Sequence, residues 1–338
     1  GNNLNLPNAP EVVDWDKLSG YYQLLAQENL IADGFTDNLG NVGAAANGFL
    51  KNIEEMQENT APLPYILFTN DGNWFDKNTW ELPVTYNDVN ITQRDVWNAP
   101  NSSGINGERI DWNIVDLKGN KVVNGASAEN ITLLALVDNE GTLNLKGENN
   151  KSGTSLTLTH YLKLDGVLDL NGESQLLQPE GSKVEGSGYL ERDQQGTASS
   201  FNYNYWSSPV STRGTNPNEG YKIGERDAGN NYIGVLFDGT DPNAVKPIDF
   251  NPQYHYADHN YPSNGPIRIS SYWLNKFFGK AGEYSNWKQI TTTTPMAAGE
   301  GFTMKGSRGN KDIKDLQNYT FRGMPNNGTI TLNIGLDQ

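Results

Sequence analysis

Apolar and polar residues alternate along two neighbouring stretches, 131–147 and 156–172, whose sequences are similar. A period of two is typical of strands that bury one face. When the second stretch is displaced by 25 positions, equivalent residues align: Leu133 with Leu158, Gly141 with Gly166, Leu143 with Leu168, Leu145 with Leu170 and Gly147 with Gly172. A repeat of this length predicts stacked coils that bury their apolar faces against each other. An ordinary β-meander with a chance match is the alternative.

The pattern divides the chain into three segments. Residues 1–64 place apolar residues at helical spacing in two short stretches, which predicts a short helical N-terminal segment. Residues 65–200 contain the repeat and predict a β-solenoid-like domain. Residues 201–338 contain short strands between Gly, Pro and Asn turns, as in a sandwich-like β domain. The predicted fold is therefore all-β. We also expect the chain to be a piece of a longer protein, with its second β domain truncated at the C-terminus.

The stretch 201–210 is the first strand of the second β domain, and it alternates aromatic and polar residues. Phe201, Tyr203 and Tyr205 are predicted to share one face of an extended strand, and Trp206 the other. Pro209 cannot donate to a β-ladder and marks an end or an edge.

The composition excludes several classes of function. A net charge of −15 argues against binding to nucleic acid or to anionic membranes, because both need clustered Lys and Arg. The absence of Cys excludes disulfides and thiolate metal sites. No apolar run approaches the roughly 18 residues of a membrane span, so we expect no membrane insertion.

Four Trp residues lie close together in the 39 residues 74–112, before the repeat: Trp74, Trp80, Trp97 and Trp112. The favoured interpretation is structural, because the first coil of a solenoid needs a cover against solvent. The alternative is a stacking surface for sugar rings.

Candidate metal ligands are sparse. His160 lies in a predicted strand and is interpreted as solvent-facing. His255 and His259 flank Asp258 in a loop bracketed by prolines, which makes a transition-metal site the weaker interpretation. Turn carboxylates are the weak candidates for calcium: Asp138, Asp165, Asp238 and Asp241. Asp in such turns commonly bonds its own backbone, so calcium is an open alternative and no other cofactor is expected.

No catalytic constellation is recognisable. Ser207 and Ser208 lack the glycines of a nucleophile elbow, and no glycine-rich loop has the context of a phosphate cradle. No pair of carboxylates stands out as suited to glycoside cleavage. We therefore expect no catalytic residue and no enzymatic activity.

Several motifs occur in the order found in one group of proteins. They are TAPLPY (60–65), DGNWFDKNTW (71–80), RIDWNIV (109–115), HYLKLDGVLDLNGESQLLQ (160–178), YNYWSSPV (203–210), GVLFDGT (234–240), GEGFTMKG (299–306) and NYTFRGMPNNGTITL (318–332). In these motifs the chain resembles large cell-surface proteins of gliding and related Bacteroidetes (flavobacteria and their relatives), in the region close to the C-terminal sorting domain.

The resemblance implies export by type IX secretion and display or release at the cell surface, outside the outer membrane. It also implies type IX secretion components or outer-membrane attachment proteins as partners, with a surface polysaccharide as a further candidate. The family's best-understood members act as mobile adhesins in gliding. The favoured prediction is therefore a non-catalytic adhesin or stalk module, and the alternative is a carbohydrate-binding or carbohydrate-active solenoid.

Overall fold

A computed structural model describes residues 65–67, 71–81, 85–86, 89–90, 99–103, 109, 111, 113–119, 121–123, 129–257, 265–279, 282–308 and 311–332. The predicted helical segment 1–64 lies outside these residues. The chain is all-β and contains a β-solenoid of about six turns followed by further sheets, which confirms the predicted fold class. No helix among the described residues combines the length and the hydropathy that a membrane span requires.

Among the described residues, fourteen strands lie between residues 65 and 197 and form most of the solenoid. They are β1 (Tyr65–Leu67), β2 (Asp71–Asn73), β3 (Trp80–Glu81), β4 (Thr85–Tyr86), β5 (Val89–Asn90), β6 (Ile114–Lys118), β7 (Lys121–Val123), β8 (Asn130–Asn139), β9 (Thr142–Leu145), β10 (Ser155–Leu164), β11 (Val167–Leu170), β12 (Gln175–Leu177), β13 (Lys183–Glu185) and β14 (Tyr189–Thr197).

Two parallel ladders make the walls of the solenoid. One ladder passes from β6 through β8 and β10 to β12 and β13, and the other from β2 through β7, β9 and β11 to β14. The register confirms the repeat: Leu168 lies opposite Leu143, and Leu170 opposite Leu145. All four side chains are buried, so each coil contributes leucines to one continuous apolar interior.

Glycines at the corners allow the coils to approach closely. A Cβ on Gly166 would lie 2.2 Å from the carbonyl oxygen of Gly141 in the preceding coil. Gly172 has a φ of +58°, and a Cβ there would lie 2.4 Å from the carbonyl carbon of Gly147. Side chains at these positions would force the corners apart, which explains why both repeats carry Gly there.

After the solenoid, the described part of the chain contains ten further strands and two short 3-10 helices. The strands are β15 (Tyr203–Ser207), β16 (Val210–Ser211), β17 (Leu236–Asp238), β18 (Lys246–Pro247), β19 (Asp249–Asn251), β20 (Arg268–Ser270), β21 (Asn275–Phe277), β22 (Trp287–Gln289), β23 (Gly301–Lys305) and β24 (Leu316–Pro325). The 3-10 helices span Ser271–Trp273 and Tyr284–Asn286, and another, Lys77–Thr79, lies in the first coil.

One sheet continues from the solenoid into the C-terminal part of the chain. The last parallel strand, β14, pairs antiparallel with β24 over eight residue pairs, and β24 pairs in turn with β16 and β17. The predicted domain boundary at residue 200/201 is therefore crossed by a hydrogen-bonded ladder.

A separate four-stranded antiparallel sheet packs against this extension, in the order β15, β23, β21, β22. Its inner face contributes Trp206, whose ring meets Tyr319 and Phe321 of β24 edge-to-face, with centroids 5.5 and 6.0 Å apart. Gly196 of β14 makes room for this indole, because a Cβ there would lie 2.6 Å from it. The outer face of the four-stranded sheet is consequently left to solvent.

Leu168→Ala should destabilise the protein by about 2–5 kcal/mol, because the buried side chain would leave a cavity between coils. Leu177→Ala is the matched control, since Leu177 belongs to the same solenoid but is 42% exposed. The stability of Leu177→Ala should fall by much less than that of Leu168→Ala. Urea unfolding of both variants measures the difference, and equal losses would contradict the buried leucine stack.

Candidate functional site

The alternative interpretation of a sugar-stacking surface does not hold at Trp74 and Trp80. Their side chains are 0% and 2% exposed, and the rings pack edge-to-face with centroids 5.0 Å apart. Trp74 donates to the carbonyl of Pro100, and Trp80 donates to that of Trp74. Neither indole can offer a face to a ligand in this structure. Both instead belong to the core of the first coils, while Trp97 and Trp112 lie outside the described residues.

Of the four candidate calcium ligands, Asp138 and Asp238 lie at the ends of β8 and β17, and Asp165 and Asp241 lie in the bends that follow strands. Asp165 forms an ion pair with Lys163 at 3.0 Å and accepts the amide of Ser187. Asp238 accepts the amides of Thr240 and Ile267.

Asp241 accepts the amide of Asn243 within its own turn. No three Asp, Glu or His side chains of the described residues are grouped to hold a metal ion. Among the His, His160 and His255 are exposed. His259 and Asp258 lie outside the described residues.

Asp138 and Asp238 are both buried, and Asp138 differs from Asp238 in the bonding of its carboxyl group. The Oδ1 of Asp138 accepts the amide of Gly141 at 2.7 Å, and its Oδ2 has no hydrogen-bond partner among the described residues. Burial raises the pKa of Asp138 to about 7, and the nearby carboxylates of Asp165 and Asp116 add to the effect. This carboxyl group therefore costs stability when it ionises.

Within the part of the chain that the structure describes, a groove on the outer face of the four-stranded sheet is well suited to bind a ligand. Its volume is about 360 Å³, within the range of small-molecule sites. We call it the aromatic groove. It is lined by six aromatic side chains, Tyr203, Tyr205, Tyr272, Trp273, Tyr284 and Trp287, and by three polar ones, Asn275, Gln289 and Thr303.

Alternate side chains of β15 point to opposite faces of the sheet, and this determines which of them line the aromatic groove. Along β15, Tyr203 and Tyr205 point outward and are 37% and 72% exposed, whereas Asn204 and Trp206 are buried. Each outward Tyr has its own Trp partner. Tyr203 meets Trp273 with centroids 6.3 Å apart, and Tyr205 meets Trp287 at 6.2 Å, both edge-to-face. The groove therefore contains two separate aromatic pairs.

The polar side chains form a row across the sheet. Thr303 of β23 lies opposite both Tyr205 and Asn275, and Asn275 lies opposite Gln289. The amide group of Asn275 donates to the carbonyl of Trp273, and that of Gln289 to the carbonyl of Tyr272. These bonds fix the orientation of both amides. Their carbonyl oxygens, which have no partner among the described residues, can then accept hydrogen bonds from a ligand.

Lys305 stabilises one end of the aromatic groove. Its Nζ lies 3.4 Å from the centroid of the Trp273 ring and 5.3 Å from that of Tyr203. Cation–π contacts of this kind hold an aromatic ring in place. Burial raises the pKa of Tyr203, and the neighbouring hydroxyl groups of Tyr284 and Tyr205 raise it further, so the phenol is neutral at physiological pH.

The lining of the aromatic groove combines aromatic rings with hydroxyl and amide groups. The nine lining side chains include no carboxylate and no His. The aromatic groove offers exposed ring faces beside hydroxyl and amide groups, so it suits a ligand that has both apolar C–H faces and hydroxyl groups.

Sequence reasoning missed the aromatic groove, although part of its signal was visible. The alternation in 201–206 predicted the common face of Tyr203 and Tyr205, and the structure confirms it. Two other clusters, SYW (271–273) and EYSNW (283–287), supply the remaining rings. Nothing in their local pattern shows that they meet β15.

Comparison with protein-family models, curated proteins and solved structures gave no match for this chain. The function must therefore be inferred from the site itself.

Asp138→Asn should change how stability depends on pH. An Asp with a pKa of about 7 in the folded protein and 3.8 unfolded contributes stability below pH 4 that is lost as pH rises through 7. The variant lacks this loss, so its stability relative to the original protein should increase between pH 4 and pH 8. The increase should be on the order of 4 kcal/mol at most. Thermal and urea unfolding across this range measure it.

Asp165→Asn is the control with the opposite sign. The bond from Lys163, together with that from Ser187, lowers the pKa of Asp165, so its carboxylate stabilises the folded state above the unfolded pKa. This variant should lose stability at neutral pH and approach the original protein as pH falls. If the free energy of unfolding depends on pH in the same way for Asp138→Asn and for the original protein, the Asp138 carboxyl group is not held neutral in the folded state.

Proposed function

We propose that this protein is a non-catalytic binding module whose aromatic groove binds a carbohydrate chain. The observation that carries the proposal is two Tyr–Trp pairs, each an exposed Tyr with a half-buried Trp, beside a row of amide and hydroxyl groups. Exposed aromatic clusters with convergent polar groups mark binding surfaces.

A carbohydrate fits the aromatic groove better than other ligand classes do. Sugar rings have C–H faces that pack on the electron-rich faces of aromatic rings, and hydroxyl groups that donate to carbonyl oxygens. An apolar ligand would cover the amide carbonyl oxygens of Asn275 and Gln289 without giving them a donor, which costs free energy. A polyanion such as nucleic acid would be repelled by the net charge of −15.

The absence of acid–base groups from the lining supports a role without turnover. Glycoside cleavage needs two carboxyl groups on opposite sides of the scissile bond. The aromatic groove is lined instead by phenols, indoles, amides and one Thr hydroxyl. Binding without cleavage is the activity expected of an adhesive module.

The biological setting of the proposal comes from the resemblance to surface proteins of gliding bacteria. On that basis we propose that the module is displayed outside the outer membrane after type IX secretion and contributes to adhesion. A surface polysaccharide would then be the ligand of the aromatic groove. The solenoid, about six turns long, would serve as the stalk.

Trp287→Ala and Tyr205→Ala should each weaken glycan binding roughly tenfold or more, since Trp and Tyr are the residues that most often dominate binding energy. A glycan array with the purified protein identifies the ligand, and calorimetric titration compares the variants. Tyr205 is 72% exposed, so its removal should leave the fold intact.

Phe75→Ala is the matched control, because this ring is 37% exposed but lies in the first coil, outside the groove. It should bind glycans as the original protein does. Equal binding by all three variants would contradict the assignment of the groove. Binding of choline without any glycan would replace the proposal with recognition of a quaternary ammonium group, the other ligand that aromatic clusters favour.

A further inference from the structure

The two Tyr–Trp pairs lie side by side on the outer face of the sheet, and each is built from its own Tyr and its own Trp. Tyr203 and Tyr205 are alternate residues of one strand, so their Cα atoms lie about 6.6–6.8 Å apart. Each ring is engaged edge-to-face with a different Trp, one supplied by the 3-10 helix Ser271–Trp273 and the other by β22. A pyranose is about as wide as one aromatic ring and stacks on one pair at a time.

The polar row is in register with one of these pairs. Thr303 is the direct cross-strand neighbour of Tyr205, and the row continues from it through Asn275 to Gln289. Hydrogen-bond acceptors are therefore concentrated beside the Tyr205–Trp287 pair. A sugar stacked there would be held through both its C–H face and its hydroxyl groups.

The other pair has a different environment. Lys305 is the cross-strand neighbour of Tyr203, and its ammonium group lies over Trp273. The Tyr203–Trp273 pair thus carries a positive charge close to its rings, whereas the lining around Tyr205 and Trp287 is uncharged. The two ends of the aromatic groove are chemically unlike.

From this geometry we propose that the aromatic groove has two unlike sugar subsites and binds an oligosaccharide of at least two units in one fixed direction. The proposal rests on the proposed carbohydrate-binding function and specifies its ligand: a chain, not a monosaccharide. The first subsite is the pair Tyr203–Trp273, and the second is the pair Tyr205–Trp287 with the polar row.

The two-subsite arrangement predicts that affinity depends on chain length. The probes are oligomers of one to six units of β-1,4-glucose, α-1,4-glucose and β-1,4-N-acetylglucosamine, titrated into the purified protein by calorimetry. In the series that binds, affinity should rise at least tenfold from one unit to two, because the second ring gains its own stacking contact. It should then level off.

Two variants assign the subsites. In Trp287→Ala and in Trp273→Ala, the disaccharide should bind less than threefold more tightly than the monosaccharide, because either change leaves only one complete Tyr–Trp pair. Tyr205→Ala, at a highly exposed position, repeats the test of the second subsite independently of folding. Thermal unfolding confirms that each variant is folded.

The outcomes separate the two proposals. A monosaccharide that binds as tightly as its oligomers, with binding lost in the Trp287→Ala variant, would overturn the two subsites and leave carbohydrate binding standing. Failure of every oligomer to bind would overturn both. A length dependence unchanged in both Trp variants would place the chain outside the aromatic groove and overturn the subsite assignment.

Discussion

The antiparallel ladder between β14 and β24 is the interaction on which the rest of the structure depends. A parallel solenoid ends in a strand with an unpaired edge, which is a template for unwanted association. Here β24 covers the edge of β14 along eight residue pairs. The same pairing attaches the C-terminal strands to the wall of the solenoid, so one ladder both closes the solenoid and supports the sheet that carries the aromatic groove.

The ladder is specified by polar side chains on its outer face. Thr320 donates to Asp193 at 2.8 Å, and Arg322 forms an ion pair with Glu191. Burial raises the pKa of both carboxyl groups. Removing Thr320 or Arg322 would leave a buried carboxylate without its partner and so destabilise the folded protein. A shift of β24 by one residue would separate these pairs and turn Phe321 away from the core. Polar contacts of this kind fix the register more than they add to stability.

The position of the aromatic groove follows from that register. With Tyr319 and Phe321 held on the inner side of β24, the indole of Trp206 has a fixed place to pack. Alternation along β15 then turns Tyr203 and Tyr205 outward. Asn204 is buried between them because its amide bonds both the N–H and the carbonyl of Thr197. A ligand platform held this way needs little ordering on binding, which favours affinity.

The sequence was sufficient for the solenoid but not for the aromatic groove, and the reason is the range of the interactions. Coils repeat locally, so the displacement that aligns Leu143 with Leu168 also gives their spatial register. The groove instead brings together residues that are about 70 to 100 positions apart in the chain. A local sequence repeat carries no information about such contacts. Which face of β15 is buried was equally hidden, because both faces carry aromatic residues. The choice between them is made by Gly196, whose missing side chain admits Trp206 and so leaves the two tyrosines to solvent.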